Sequence, residues 1–223
     1  MKLKKIEKDN SNFNIKIVDQ KNIGVAKTRN KGINITKGKY LMFIDNDDWI
    51  LENYVKEYHD KIKSTHADIV VGGFRRINSK GKEIRREYVN KKSDIYNVVA
   101  PWAKIYRISF LRENKIEYLS HGIGEDIYFN LIAYSLTNKI ELIHNSDYVW
   151  FYNEQSISNT NQKSISEKTN ILYLYKKIIK KVEYSEELEY FLLKNILWYL
   201  LYTRKGTEKK TIQKIEKRNY KMV

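Results

Sequence analysis

Apolar and polar residues alternate along the first 160 residues in blocks of two different periods. Short apolar runs at residues 14–18, 40–44 and 68–72 have the length and composition of β-strands. The longer segments between them, residues 23–36 and 50–65, have the apolar spacing of helices. This order of strand, helix, strand, helix, strand predicts an α/β domain with a mostly parallel sheet flanked by helices.

The pattern changes near residue 160, after which the spacing is helical. Residues 171–182 and 188–199 repeat apolar side chains every three or four positions, which predicts two or three amphipathic helices. Residues 165–223 hold twice as many basic as acidic residues, a composition that suits an anionic membrane surface. A helical cap on the α/β body, with its lysines in solvent, fits the pattern at least as well. We therefore divide the chain into an α/β domain, residues 1–160, and a basic helical extension, residues 161–223.

Three acids follow the second apolar run within four positions: Asp45, Asp47 and Asp48. Side chains of an extended segment alternate between faces, so Asp45 and Asp47 are expected to point to the same side. Two carboxylates on one side suit Mg²⁺ or Mn²⁺, which accept substrate phosphates as further ligands. The alternative is turn and capping chemistry, because Asp also precedes helices such as the one predicted from residue 50.

Composition limits the partners and the location of the protein. The net charge of +15 favours a polyanionic or phosphorylated partner, and no nucleic-acid-binding motif is present, so we expect no nucleic acid. The absence of cysteine excludes disulfides and cysteine-ligated metals. The longest apolar stretch, residues 196–202, is too short for a bilayer span, and no apolar segment follows the basic first residues as in a secretory signal. We expect a cytoplasmic protein.

Two further motifs carry candidate site residues. Arg29 and Asn30 lie in the segment 22–32, which begins as a turn and continues as a helix. Arg29 could bind a phosphate or stack on a base there, and Asn30 could donate and accept hydrogen bonds. Taken alone, both would be surface residues. Glu125 and Asp126 follow two glycines at the start of another helix, and a carboxylate held there beside a hydroxyl group can remove its proton. The structural alternative is that the helix dipole favours acids in the first turn.

Five motifs follow one another between residues 12 and 159. They are Asn-x-Gly-x-x-x-x-Arg-Asn-x-Gly at 22–32, Gly-x-Tyr-x-x-Phe-x-Asp-x-Asp-Asp at 38–48, Trp-Ala-Lys-Ile-Tyr at 102–106, Gly-Glu-Asp-x-x-Phe at 124–129, and an aromatic run at 148–152 that leads to Ser156 and Ile157. In this order and spacing they resemble the family 2 glycosyltransferases, particularly the bacterial enzymes that build cell-surface polysaccharides. The resemblance implies a GT-A-like, Rossmann-like fold.

The resemblance also implies an activity and the residues that bind the donor. A sugar would pass from a nucleotide-sugar donor to a hydroxyl of a saccharide or lipid-linked acceptor. Arg29 and Asn30 would bind the donor, and Asp45 would contact its ribose or the metal. Asp47 would bind the Mg²⁺ or Mn²⁺ ion that bridges the diphosphate.

On the acceptor side, the resemblance assigns Asp126 as the general base of a single in-line displacement, which inverts the anomeric carbon. Glu125 would shape the site beside it. Trp102 and Lys104 would lie near the sugar and the acceptor.

One part of the family pattern has no counterpart. Family members begin with two further strands that hold much of the nucleotide, and residues 1–12 resemble only the helix that follows them. The resemblance therefore implies an N-terminally truncated domain with an exposed sheet edge and an incomplete donor pocket. Either a complementing protein chain supplies the strands, or the chain is a remnant that acts as a scaffold for a complete enzyme. A third hypothesis is a basic protein that kept the fold for stability alone and binds nucleic acid or, through its C-terminal helices, the inner face of the membrane.

Overall fold

The computed structural model describes residues 2–120, 124–152 and 171–203. The α-helices are α1 Lys2–Asp9, α2 Val25–Ile35, α3 Tyr54–Thr65, α4 Ile108–Glu113, α5 Glu125–Ser135, α6 Ile171–Ile179 and α7 Glu186–Thr203. The strands are β1 Tyr40–Leu41, β2 Trp49–Ile50, β3 Ile69–Val71, β4 Phe74–Ile77, β5 Glu83–Glu87, β6 Lys104–Arg107, β7 Ile140–Leu142 and β8 Tyr148–Phe151. A 3₁₀ helix spans Lys92–Asn97.

The first sheet has the strand order β1-β6-β3-β7. Strands β1, β3 and β7 run in one direction, whereas β6 runs against them between β1 and β3. The α/β class predicted from the sequence is confirmed, although β6 makes the sheet mixed. This strand comes from later in the chain and separates the two parallel strands that α3 connects. Its central position buries Lys104, Ile105 and Tyr106.

The second sheet has the order β2-β8-β4-β5 and is also mixed, since only β4 and β8 pair in parallel. Strand β1 belongs to the first sheet and β2 to the second. Residues 45–48, which include Asp45, Asp47 and Asp48, lie between these two strands and cross from one sheet to the other. We call this segment the acidic crossover. A crossover held at both ends by sheets gives the acids a fixed position.

Most of the elements predicted in the first 72 residues are present. Helices α2 and α3 and strand β3 lie within their predicted ranges, while the run at 40–44 forms a ladder only at β1. The prediction of a strand at residues 14–18 is wrong. Ile15 and Ile17 alternate as half-buried positions, but no described strand pairs with this segment. An alternating pattern indicates which side chains face inward. It does not show whether another strand is available to form hydrogen bonds with the backbone.

The described C-terminal helices pack on the α/β body. Helix α6 buries Leu174, Tyr175 and Ile178 in the same core cluster as α5, and α7 adds Leu188 and Phe191. The described residues therefore show the cap arrangement that the sequence left open. None of the described helices is long and apolar enough to cross a membrane. The predicted boundary at residue 160 lies outside the described residues, and binding to an anionic membrane surface stays a prediction.

Gly124 lies at the start of α5, where Leu174 of helix α6 packs against it. Its replacement gives a first prediction. Its φ is +73°, and an added Cβ would lie 2.5 Å from Cδ2 of Leu174. Gly124→Ala is expected to lower the free energy of unfolding by about 1–2 kcal/mol for the left-handed backbone and by a further ~1–3 kcal/mol for the overpacking. Chemical denaturation measures the loss.

Gly81→Ala is the matched control for this variant. Gly81 has φ +74°, but nothing lies within 4 Å of its added Cβ. The control therefore carries the backbone cost without the clash, and it should be the more stable of the two variants. Equal losses would mean that α6 does not pack on the start of α5.

Candidate active site

Arg29 on α2 bridges two carboxylates that are far apart in the sequence. Its Nη1 donates to Oδ1 of Asp126 at 2.5 Å, and its Nη2 donates to Oδ1 of Asp45 at 3.0 Å. The guanidinium carbon also lies 5.4 Å from the ring centroid of Tyr118. Arg29 is only 13% exposed, whereas Asp45 and Asp126 keep 37% and 32% of their side-chain surface. The cation is thus largely enclosed, and both carboxylates remain accessible to a ligand.

Asp48 anchors the acidic crossover to β8. Its Oδ2 accepts a hydrogen bond from the Tyr148 hydroxyl at 2.5 Å, and its Oδ1 accepts one from the Phe151 amide at 2.9 Å. The same Tyr148 oxygen accepts a hydrogen bond from the amide of Asp45 at 3.2 Å. Burial raises the pKa of Asp48 to about 6, against the effect of both hydrogen bonds. Asp48 and Tyr148 therefore fix the crossover from which Asp45 reaches Arg29.

The acids of the crossover do not cap the helix that follows. Asn53 occupies the N-cap position of α3, and its side chain makes no capping hydrogen bond. The capping explanation for Asp47 and Asp48 is therefore wrong. Capping requires a side chain directly before the first turn, and β2 separates these acids from α3.

Asp126 lies in the first turn of α5, where Gly124 turns the chain into the helix. Burial raises the pKa of Asp126 to about 7, and the negative charges of Glu125 and Asp45 act in the same direction, whereas Arg29 opposes the shift. Oδ1 is held by Arg29, while Oδ2 makes no hydrogen bond within the described residues. Among the described residues, the group has one oxygen held by Arg29 and one without a partner, with a pKa suited to proton transfer near neutral pH.

The side chain of Asn30 is half-buried and bonds to the backbone of Tyr118. Its Nδ2 donates to the carbonyl of Tyr118 at 2.9 Å, and its Oδ1 accepts from the amide of Tyr118 at 2.8 Å. Tyr118 in turn stacks on Phe129, with ring centroids 4.1 Å apart. Asn30 thus holds the ring that lies beside Arg29, and its donor-binding role stays a prediction that these contacts do not favour.

Trp102 and Lys104 lie beneath the site, where neither presents its side chain to a ligand. Trp102 is 6% exposed and stacks on Tyr148 at 4.6 Å, and Lys104 is fully buried. The Lys104 ammonium donates to the carbonyls of Ala100 at 2.7 Å and Trp102 at 3.2 Å. Burial lowers the pKa of Lys104 well below its usual value, and Asp126 opposes that shift. Their expected place near the sugar and the acceptor stays a prediction, and the burial of both side chains beside and within β6 does not favour direct contact with a ligand.

Within the part of the chain that the structure describes, Asp47 and the second oxygen of Asp45 make no contact that would keep them from a metal. Asp47 is exposed and makes no hydrogen bond or ion pair with another described residue. No group of three or more His, Cys, Asp or Glu side chains within the described residues could hold a metal alone. Mg²⁺ commonly uses one or two carboxylates together with substrate phosphates and water. The pair therefore fits a metal that arrives with a diphosphate, and does not fit a metal held by the protein alone.

Asn130 supports the site and was not found from the sequence. It is fully buried, accepts from the Tyr106 hydroxyl at 2.7 Å and donates to the carbonyls of Val99 and Asp126. These bonds tie the first turn of α5 to β6. The sequence does contain a signal for it, because Asn130 is the one amide in the apolar stretch Tyr-Phe-Asn-Leu-Ile-Ala-Tyr. A polar side chain that is buried among apolar ones has to be hydrogen-bonded.

A cavity of about 700 Å³ opens beside Arg29. It lies between α2, the extended segment that precedes α2, and β1, and Thr28, Lys16 and Phe43 line it together with Arg29. Its volume is within the range of small-molecule and cofactor sites. Arg29 therefore contacts the carboxylates of Asp45 and Asp126 and also lines the cavity.

Comparison with known proteins identifies the class of the fold and then the family. The crystal structure of Staphylococcus aureus TarS 1–349 in complex with UDP-GlcNAc superposes with a TM-score of 0.68 over 86% of this chain and 59% of that one, at 21% identity. This likeness confirms the GT-A-like fold. Residues 2–123 match the family described as Glycosyl transferase family 2, and the chain belongs to that family.

Two curated relatives are similar to part of this chain. The glycosyltransferase GlyA of Streptococcus pneumoniae serotype 4 is 27% identical over 161 residues, which cover 63% of this chain and 23% of GlyA. The poly(ribitol-phosphate) beta-glucosyltransferase of Bacillus spizizenii is 32% identical over 136 residues, which cover 58% of this chain and 21% of that enzyme. The chain thus spans less than a quarter of the length of either relative.

Proposed function

We propose that this chain transfers a sugar from a nucleotide-sugar donor to a hydroxyl group of a polysaccharide or glycolipid acceptor, with inversion at the anomeric carbon. Membership of the family supports the reaction class. The observation that carries the proposal is the bridge from Arg29 to Asp45 and Asp126, because it places a basic carboxylate beside the acidic crossover. The cavity next to Arg29 supplies space for the donor.

Asp126 acts as the general base in the proposed reaction. Oδ2, which no described residue engages, accepts the proton of the acceptor hydroxyl while the hydroxyl oxygen bonds to the anomeric carbon. The bond from that carbon to the diphosphate oxygen breaks in the same step, and the nucleoside diphosphate leaves with the bonding electrons. A pKa of about 7 leaves a large part of Asp126 ionised at neutral pH and still basic enough to take the proton.

Arg29 orients this base. Its planar guanidinium donates one hydrogen bond to Asp126 and one to Asp45. The general base is therefore held at a constant position relative to the carboxylate expected beside the donor. The positive charge also keeps Asp126 ionised to a lower pH than burial alone would allow. Arg29 is a positioning residue in this mechanism.

Asp47, with the free oxygen of Asp45, would hold Mg²⁺ or Mn²⁺ when the donor binds. The ion would supply positive charge that stabilises the departing diphosphate. Support comes from the exposure of Asp47 and its lack of a partner among the described residues. The protein's own contribution is the turn that carries Asp45 and Asp47, which Asp48 fixes through Tyr148.

Calorimetric titration of the protein with UDP, with and without Mn²⁺, tests this assignment. We expect binding to strengthen when Mn²⁺ is present, and Asp47→Asn to remove most of that gain. A single lost charge-assisted contact to a metal and diphosphate complex weakens binding by roughly tenfold or more.

Asp60→Asn is the control for Asp47→Asn. Asp60 is an exposed acid on α3 that pairs with Lys56 at 2.8 Å, so its replacement removes the same charge at a distance from the crossover. Binding should be unchanged in this variant. Metal-independent binding, or an equal loss in both variants, would contradict the assignment of Asp47.

A further inference from the structure

Tyr118 carries a buried hydroxyl group that no described residue engages. The side chain is 3% exposed, and its hydroxyl oxygen has no hydrogen-bond partner within the described residues. A buried hydroxyl without a partner costs free energy, whereas a phenylalanine would place the same ring here without that cost. The described part of the fold therefore gains no stability from this oxygen, and the oxygen needs another explanation.

The ring of Tyr118, by contrast, is fixed from several sides. It stacks on Phe129 with ring centroids 4.1 Å apart, and Phe43 approaches it edge-on at 5.7 Å. The backbone amide and carbonyl of Tyr118 both bond to the side chain of Asn30. Because the ring cannot move freely, the position of the hydroxyl is defined as well.

This fixed ring contacts the two helices that carry Arg29 and Asp126. The guanidinium carbon of Arg29 on α2 lies 5.4 Å from the ring centroid, and Arg29 bonds to Oδ1 of Asp126. Phe129, on which Tyr118 stacks, comes three positions after Asp126 on α5, so these two side chains are neighbours on one face of the helix. Tyr118 therefore lies against the face of α5 that carries Asp126.

Four charged side chains of the candidate site act on the Tyr118 hydroxyl. Burial raises the pKa of this hydroxyl well above its usual value, and the negative charge of Asp126 is the next largest cause in the same direction. Asp45 and Glu125 add to the rise in pKa, whereas Arg29 opposes it. The hydroxyl therefore keeps its proton, so it can only donate a hydrogen bond to a carboxylate.

We propose that Tyr118 is a second positioning residue for Asp126, whose Oδ1 accepts a hydrogen bond from the Tyr118 hydroxyl once the donor is bound. A carboxylate oxygen can accept two hydrogen bonds, so Oδ1 can accept from Arg29 and Tyr118 together while Oδ2 takes the acceptor proton. Two donors from different parts of the chain fix the rotation of a carboxyl group more closely than one. Hydrogen bonds of catalytic groups are often long or poorly aligned before substrate binds and tighten in the Michaelis complex. The inference rests on the proposed function and adds a residue that holds its general base.

Tyr118→Phe tests the proposal, because it removes only the hydroxyl. The full chain is incubated with UDP-GlcNAc and Mn²⁺, and release of UDP gives kcat and KM for the donor. We expect kcat to fall by roughly 10- to 100-fold, the value of a hydrogen bond to a charged group. KM for the donor should stay close to that of the parent, since the acidic crossover is unchanged. The midpoint of chemical denaturation should be unchanged or higher, because a buried hydroxyl without a described partner is removed.

Tyr134→Phe is the matched control, and the opposite result is expected for it. Tyr134 is buried on α5, the helix that also carries Asp126, and its hydroxyl donates to the carbonyl of Val98 at 3.1 Å. Loss of this hydrogen bond should lower the denaturation midpoint. The value of kcat should stay close to that of the parent, because the bond lies outside the candidate site.

Parental kcat in Tyr118→Phe would overturn the proposal. A fall in its denaturation midpoint as large as that of Tyr134→Phe would also overturn it, because the hydroxyl would then have a structural partner. The proposed function fails in a different way. Absence of UDP release by the parent protein, or parental release by Asp126→Asn, would contradict the general base itself rather than the role of Tyr118.

Discussion

Replacing Asp126 with Asn should reduce kcat for sugar transfer by about 10²–10⁴-fold, the usual contribution of a positioned general base. The amide keeps an oxygen that can accept the hydrogen bond from Arg29, but it cannot take a proton from the acceptor. Donor binding should therefore persist, because the acidic crossover is unchanged. Release of nucleoside diphosphate at saturating donor measures kcat, and titration with UDP measures binding.

The pH dependence of the parent enzyme belongs to the same prediction. The base has to be ionised, so the rate should fall as pH drops through about 7, the pKa to which burial raises Asp126, and should level off above it. Asp147→Asn is a suitable control, since Asp147 is also a partly buried acid that accepts a hydrogen bond from an arginine. Its kcat should stay within a few-fold of the parent. An Asp126→Asn enzyme with parental kcat would show that another group takes the proton.

Replacing Arg29 with Ala should have the largest combined effect on stability and activity. Breaking a buried ion pair from one side costs about 3–5 kcal/mol. Because both carboxylates are about a third exposed, solvent screening reduces the expected loss to ~1–3 kcal/mol. Transfer should fall by at least about 100-fold, since Asp126 loses the contact that orients it. Chemical denaturation and donor turnover measure the two effects separately.

Arg29→Lys separates orientation from charge. The lysine keeps a positive charge but cannot hold both carboxylates in one planar fork, so the residual rate should lie between those of the parent and Arg29→Ala. Arg29 lowers the pKa of Asp126, so its removal should move the acidic limb of the rate profile to higher pH. Lys27→Ala is the control, because Lys27 is exposed on the same helix. A parental pH profile in Arg29→Ala would contradict the coupling between Arg29 and Asp126.

The sequence named Arg29, Asp45 and Asp126 as candidates, but it did not indicate the contacts that the structure shows among them. Arg29 and Asp126 are 97 positions apart, and no periodicity within a single element can indicate that they meet. Motif order supplied the candidates, and the packing of α2 beside the first turn of α5 brings them together. The contact between Asp48 and Tyr148 is a second example, because the hydroxyl that fixes the acidic crossover comes from a strand 100 positions later.

The burial of Lys104 is a feature that the sequence did not indicate. A lysine is almost never fully buried unless its charge is paired, and the motif placed Lys104 only near the sugar and the acceptor. Strand β6 lies between β1 and β3, however, and this position follows from a pairing that the pattern of apolar residues does not show. The ammonium is accommodated because two backbone carbonyls accept its hydrogen bonds.

The stereochemistry of donor hydrolysis tests the central claim most directly, because water can replace the acceptor. The protein is incubated with UDP-GlcNAc and Mn²⁺, and proton NMR records the anomeric configuration of the sugar before it equilibrates. A single displacement assisted by Asp126 predicts a first product with the configuration opposite to that of the donor, and little hydrolysis by Asp126→Asn. Retention of configuration, or equal hydrolysis by the Asp126→Asn variant, would contradict the account.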